Sequence, residues 1–164
     1  KGHLDVLKLA TSREIANDAM ELSLLIQDNL ELDTSELAMQ EFAAIDLLMF
    51  QNQYPQALEG YDSMLIRFPK HSLSDEILWR QANILNKLGK TTEAVAKLEA
   101  IMKDYPEDIL GDDATFLVAT IYEEQLDQKE KAKELYLKLL TDYSGSVYVA
   151  EARKRARLIR GDKL

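Results

Sequence analysis

Three segments of this chain repeat one pattern: QYPQALEGYDSMLIRFP, KTTEAVAKLEAIMKDYP and QKEKAKELYLKLLTDYS. Ala57, Ala94 and Ala132 hold the same place in each, spaced 37 and 38 residues apart. Phe68, Tyr105 and Tyr143 close the segments with the same two spacings. A recurrence at one period means that a supersecondary unit is copied and stacked, because one copy cannot bury its apolar face alone.

The period of the apolar residues inside each copy is helical. Ala94, Val95, Leu98, Ile101 and Met102 fall on one face of a helix, as do Ala132, Leu135, Tyr136, Leu139 and Leu140. A second helical stripe precedes each copy: Phe42, Ile45, Leu48 and Met49; then Leu78, Ala82, Leu85 and Leu88; then Phe116, Ala119, Tyr122 and Leu126. Gly89 is a stop signal for the middle one. Ser72 or Ser74, Asp112 with Asp113, and Ser146 are start signals. The alanine near the start of each second helix lets two helices approach closely. Short connections make each pair an antiparallel hairpin. The expected helices are 12–29, 34–51, 55–68, 74–88, 91–104, 112–126, 129–142 and 146–160. The helix at 12–29 opens on Thr11 and Glu14, a capping-box pattern, and has no obvious partner helix before 34.

Composition removes several function classes. The chain has no cysteine, so disulfide, thiol and zinc-thiolate chemistry are excluded. Its longest nearly apolar run, Phe42 to Phe50, is broken by Asp46 and falls far short of the roughly 18 residues of a membrane span. The net charge of −9 argues against nucleic acid as a partner, since phosphates would be repelled. The charge is uneven: residues 1–50 hold ten acidic and three basic side chains, residues 151–164 six basic and two acidic. The chain opens at Lys1 without a methionine or signal-like segment, and a piece of a longer protein is expected.

The unit of two helices, with a small residue in the first, an alanine opening the second and a proline closing it, resembles the tetratricopeptide repeat. The middle copy carries the resemblance through Ala82, Leu85, Ala94, Leu98 and Pro106, and the third through Ala119, Tyr122 and Ala132. The third copy has one extra residue in its turn and Ser144 in place of the proline. The first departs most, with Ile45 where a small residue belongs. The usual period is about 34, and here "RFPKHSLSDE" and "DYPEDILGDD" lengthen the links between units. The longer variant is similar to repeats of bacterial cell-envelope proteins, which implies a periplasmic or envelope location, with the cytoplasm as the alternative. The resemblance implies an all-α, right-handed superhelix of hairpins, a single domain over 1–164. Within it, 1–33 is an irregular helix or half-repeat, 34–70, 71–107 and 108–144 are repeats, and 145–164 is a capping helix.

In that architecture the first helices line a concave binding face. The positions implied for ligands are Asp46, Met49 and Phe50, then Trp79, Asn83, Asn86 and Lys87, then Phe116, Thr120, Glu123 and Glu124. Asp46, Glu123 and Glu124 flank Asn83 and Lys87, so a partner segment with basic and apolar residues is expected rather than a free terminal carboxylate. Arg153, Lys154, Arg155, Arg157 and Arg160 form a basic run on the last helix. Its apolar residues dock on the third pair and turn the charges outward, as a solvated cap or as a docking patch for an acidic partner or anionic membrane.

No catalytic constellation emerges. Of the two histidines, His3 and His71, the second is expected as a solvated loop residue. An enzyme needs a buried, perturbed carboxylate pair, and none is evident in the sequence. The acidic loop Asp104, Glu107, Asp108, Asp112 and Asp113 lacks the spacing and central glycine of a calcium loop, and reads as a solvated turn. Arg160-Gly161-Asp162 matches a cell-adhesion tripeptide by coincidence. No cofactor or metal is expected. The expected role is a non-enzymatic scaffold for an unidentified protein or peptide; the alternative is a structural spacer or self-association module, including a homo-oligomer.

Overall fold

A computed structural model describes residues 36–162. Among them are seven α-helices and no strand: α1 Glu36–Phe50, α2 Tyr54–Arg67, α3 Ser74–Lys87, α4 Thr91–Asp104, α5 Gly111–Glu124, α6 Lys129–Asp142 and α7 Val149–Arg160. The expected helix at 12–29 lies outside the described residues. The chain divides into two compact units, residues 1–74 and 75–164.

The turn inside each hairpin is set by one residue in the left-handed region. Asn52, Gly89 and Asp127 stand at the same repeat position, with φ of 59°, 74° and 50°. After α3, the Gly89 N–H bonds the Asn86 carbonyl at 3.0 Å and the Lys90 N–H reaches back to Leu85 at 2.9 Å. These are the paired bonds of a Schellman stop. The Asn52 turn repeats them, Asn52 to Met49 and Gln53 to Leu48. After α5 the turn is one residue longer, and the Gln128 N–H spans six residues to Tyr122. A Cβ on Gly89 would meet nothing within 4 Å, so Gly89→Ala carries only the backbone penalty of positive φ. The expected loss is about 1–2 kcal/mol in urea unfolding, against almost none for Asn52→Gly.

The links between hairpins also follow one design, which accounts for the long period. Phe68, Tyr105 and Tyr143 cap α2, α4 and α6. The N–H of His71, Asp108 and Ser146 then bonds the carbonyl of that aromatic residue, and the N–H of Ser74, Gly111 and Val149 bonds the carbonyl three residues before it. Two successive turns therefore lead into each following helix. In the last link this occupies residues that the helical pattern alone extends into α7, which begins at Val149 and not at 146. Ser146 acts inside the link: its Oγ accepts the Tyr148 N–H at 3.1 Å.

In the first unit, Phe42, Ile45, Ala57, Tyr61 and Met64 are buried between α1 and α2. Ile45, bulky where a small residue is expected, is offset by Gly60: a Cβ there would lie 2.8 Å from Ile45 Cγ1. Asp46, expected on a binding face, is fully buried, and the Tyr61 hydroxyl donates to it. His71, expected in solvent, is also buried. Its Nδ1 accepts the Leu73 N–H at 3.1 Å, and its ring meets Phe68 edge-on at 6.1 Å.

In the second unit the core passes from pair to pair through α5. One cluster joins Ala82 of α3, Val95, Leu98 and Ile101 of α4, and Ala114, Val118 and Ile121 of α5. The next joins Ala119 of α5 to Ala132, Tyr136 and Leu139 of α6 and Ala152 and Ala156 of α7. Opposite faces of one helix thus serve two cores, which is how a stacked array spreads its stability. Gly111, buried at the start of α5, lets Tyr143 reach across: the Tyr143 hydroxyl donates to the Pro106 carbonyl at 3.0 Å. A Cβ on Gly111 would stand 2.6 Å from that carbonyl oxygen.

Candidate functional site

The residues with most polar and aromatic chemistry lie along α3 and α5, the first helices of consecutive pairs in the second unit. Trp79, Asn83, Asn86 and Lys87 on α3 occupy the same repeat positions as Phe116, Thr120, Glu123 and Glu124 on α5. On each helix the spacing puts them on one stripe.

The second helix of the pair decides what the stripe does. Asp46, Asn83 and Thr120 share one repeat position; Tyr61, Leu98 and Tyr136 share the position facing it. Where that residue is tyrosine, its hydroxyl crosses to the first helix. The Tyr136 hydroxyl donates to Glu123 Oε2 at 2.7 Å and lies 3.5 Å from Thr120 Oγ1. Where it is Leu98, no hydroxyl arrives; Asn83 and Thr120 alike bond back into their own helices, the Asn83 amide to the Trp79 carbonyl and the Thr120 hydroxyl to the Phe116 carbonyl, both at 3.0 Å. Asn86 Oδ1 is buried without a hydrogen-bond partner among the described residues.

Arg155 joins this stripe to α7. Its Nη1 reaches Glu123 at 2.9 Å and Glu124 at 2.7 Å, and its Nε reaches Glu151 at 3.0 Å. Arg155 therefore turns inward, unlike Arg153, Lys154, Arg157 and Arg160, which are exposed. One guanidinium facing three carboxylates leaves the cluster negative. Phe116 packs between Tyr136 and Tyr148, its ring stacked on Tyr148 at 4.4 Å and 11°. Tyr148 in turn donates to Asp113 Oδ1 at 2.5 Å. The start signal read at Asp113 is thus a tie between α5 and α7. Met49 and Phe50 lie at the end of α1, half-buried and exposed, and Trp79 is half-buried.

Titration of this network has a definite sign. Burial, and the bond to Glu123, push the Tyr136 hydroxyl up to about 12. The bond to Asp113, then burial, push Tyr148 up to about 12. Both protons are held more tightly in the folded chain than in the unfolded one, where the value is 10. Their contribution to stability is complete below pH 10 and is lost as pH rises from 10 through 12. The melting temperature is expected to fall steeply over that window. Tyr136→Phe with Tyr148→Phe flattens the fall; an unchanged slope would remove both hydroxyls from the linkage.

Sequence reasoning missed one buried carboxylate pair. Asp75 is 4% exposed, beside Glu76 on the first turn of α3. Burial, then the hydrogen bond with Asp75, hold the Glu76 carboxyl well above its ordinary value of 4.5. Neither lines the two surface clefts of the second unit. One, about 550 Å³, is bordered by Glu107, Asp108, Asp112, Asp142 and Lys138; the other lies between α6 and α7. Among the described residues no group of acidic or histidine side chains is arranged to hold a metal, and no helix is long and apolar enough to cross a membrane.

Comparison with known families agrees with this architecture. A tetratricopeptide repeat family profile matches residues 76–108 and 113–146, the spans of α3–α4 and α5–α6 with their links. No curated protein matches the chain. Repeats of this family generally mediate protein–protein interactions and are typically non-enzymatic. With helix pairs, turn geometry and family profile in register, residues 76–146 carry two repeats of the tetratricopeptide repeat family.

Proposed function

We propose that this chain is a non-enzymatic scaffold that holds a partner protein or peptide against the first-helix faces of its repeats, on Trp79, Asn83, Asn86 and Lys87 of α3 and Phe116 and Thr120 of α5. The observation that carries the reading is the shared register of these two stripes on consecutive repeats. Asn83 is half-buried and spends an amide hydrogen only on its own helix. The Asn83 amide beside a half-buried indole offers a peptide group a hydrogen-bonding partner next to a flat apolar surface. The negative cluster around Arg155 favours a partner segment that brings basic residues to the α5 end. Asp46 takes no part, because it is buried.

The test is capture from lysate of the source cells, with the immobilised chain and its Trp79→Ala/Asn83→Ala variant. A partner retained in high salt is expected, its retention falling at least about tenfold in the variant. Equal retention by both proteins would sink the face as the binding site. Loss of everything bound in high salt would favour the spacer role instead.

A further inference from the structure

The outer side of α7 carries a groove that the proposed face does not use. Leu137 and Leu140 of α6 and Ala156 of α7 form its floor, with Lys133, Arg153, Arg157 and Arg160 along its edges. Its volume is about 270 Å³, below the roughly 300–1,000 Å³ of small-molecule sites but sufficient for a bulky side chain.

Two observations say what fits there. The first is register. Ala156 holds the same repeat position as Ala82 and Ala119. Ala119 is covered by the second helix of its own pair, through Ala132 and Tyr136. By the same geometry, the groove over Ala156 is the seat that a second helix takes on α7. The second observation is charge. Lys133 is paired with Glu130, and Arg157 and Arg160 share Asp162. Arg153 meets no carboxylate among the described residues. Four cations against two carboxylates leave a positive rim around an apolar floor.

We propose that this groove docks an acidic amphipathic helix of a partner protein. A small residue of that helix sits over Ala156, a bulky apolar one lies against Leu137 and Leu140, and its carboxylates reach Arg153, Arg157 and Arg160. An anionic bilayer suits the groove less well. Insertion needs several apolar side chains that protrude, whereas of the three apolar residues here only Leu137 is exposed, Ala156 being buried and Leu140 half-buried.

The test is fluorescence anisotropy of the full chain with a fluorescein-labelled helical peptide in which glutamates flank a leucine–alanine stripe. Arg153→Glu/Arg157→Glu, at two exposed positions, is expected to weaken binding at least about tenfold and to gain affinity for the same peptide with lysines in place of glutamates. Leu137→Ala is expected to weaken binding, and Trp79→Ala/Asn83→Ala to leave it unchanged. Circular dichroism melts establish that each variant is folded. The proposal is overturned if charge reversal leaves the glutamate peptide bound as before, or if a peptide with its leucines replaced by alanine binds equally well. It is also overturned if Trp79→Ala/Asn83→Ala abolishes binding, or if vesicles of phosphatidylcholine with phosphatidylserine compete the peptide away.

Discussion

Tyr136→Ala is expected to lower the unfolding free energy by about 3–5 kcal/mol. The side chain is fully buried and lies in the core cluster shared by α5, α6 and α7. Its ring packs 5.9 Å from Phe116, and its hydroxyl holds Glu123 beside Arg155. Truncation opens a cavity and removes the donor that orders the carboxylate. Tyr136→Phe keeps the ring and removes only the hydroxyl. Because Glu123 retains Arg155, that change is expected to cost about 1 kcal/mol. Urea unfolding of both variants separates the packing from the hydrogen bond. A Tyr136→Ala loss no larger than that of Tyr136→Phe would mean that the ring contributes nothing to holding α5 and α6 together.

The second large effect lies at the close approach of α1 and α2. Gly60→Leu drives new atoms into Ile45, whose Cγ1, Cδ1 and Cγ2 all stand within 3.2 Å of the position of a Cβ. The expected cost is about 1–3 kcal/mol. Adding Ile45→Ala is expected to recover most of it. The double variant reproduces the third repeat, where Ala119 and Leu135 stand at the corresponding positions and pack in one cluster. A double-mutant cycle should show a favourable coupling of at least about 1 kcal/mol. Additive losses would show that the two residues do not share the same space.

These two cases mark how far the sequence can be read. The period of 37 and 38 residues follows from Ala57, Ala94 and Ala132 with no tertiary knowledge, and so do the hairpins and the stop at Gly89. The extra residue in the third turn was legible too, and it stands ahead of Asp127, which keeps the repeat position of Gly89. All of these are local or periodic properties of the chain. Ile45 stood out as too large for its position, yet its compensation at Gly60 was not visible, because nothing in either helix alone says which residues cross.

The polar residues divide in the same way. Asp46, Asn83 and Thr120 share one repeat position, and from the sequence they look alike. Asn83 and Thr120 both bond back into their own helices, but whether a hydroxyl from the second helix also reaches the position depends on the facing residue, where Tyr61 and Tyr136 bring one and Leu98 does not. Arg155 belongs to a basic run by composition, but only the docking of α7 brings it to Glu123, Glu124 and Glu151. His71 is buried by the two-turn link it helps to form, and the Glu76 carboxyl is held above its ordinary value because α3 buries its first turn. The sequence by itself determined the helices, their pairing and their repeat, since hydrophobic period and turn chemistry act over a few residues. The tertiary structure alone decided which charges and hydroxyls meet, because hydrogen bonds and ion pairs depend on distances of about 3 Å between side chains far apart in the chain.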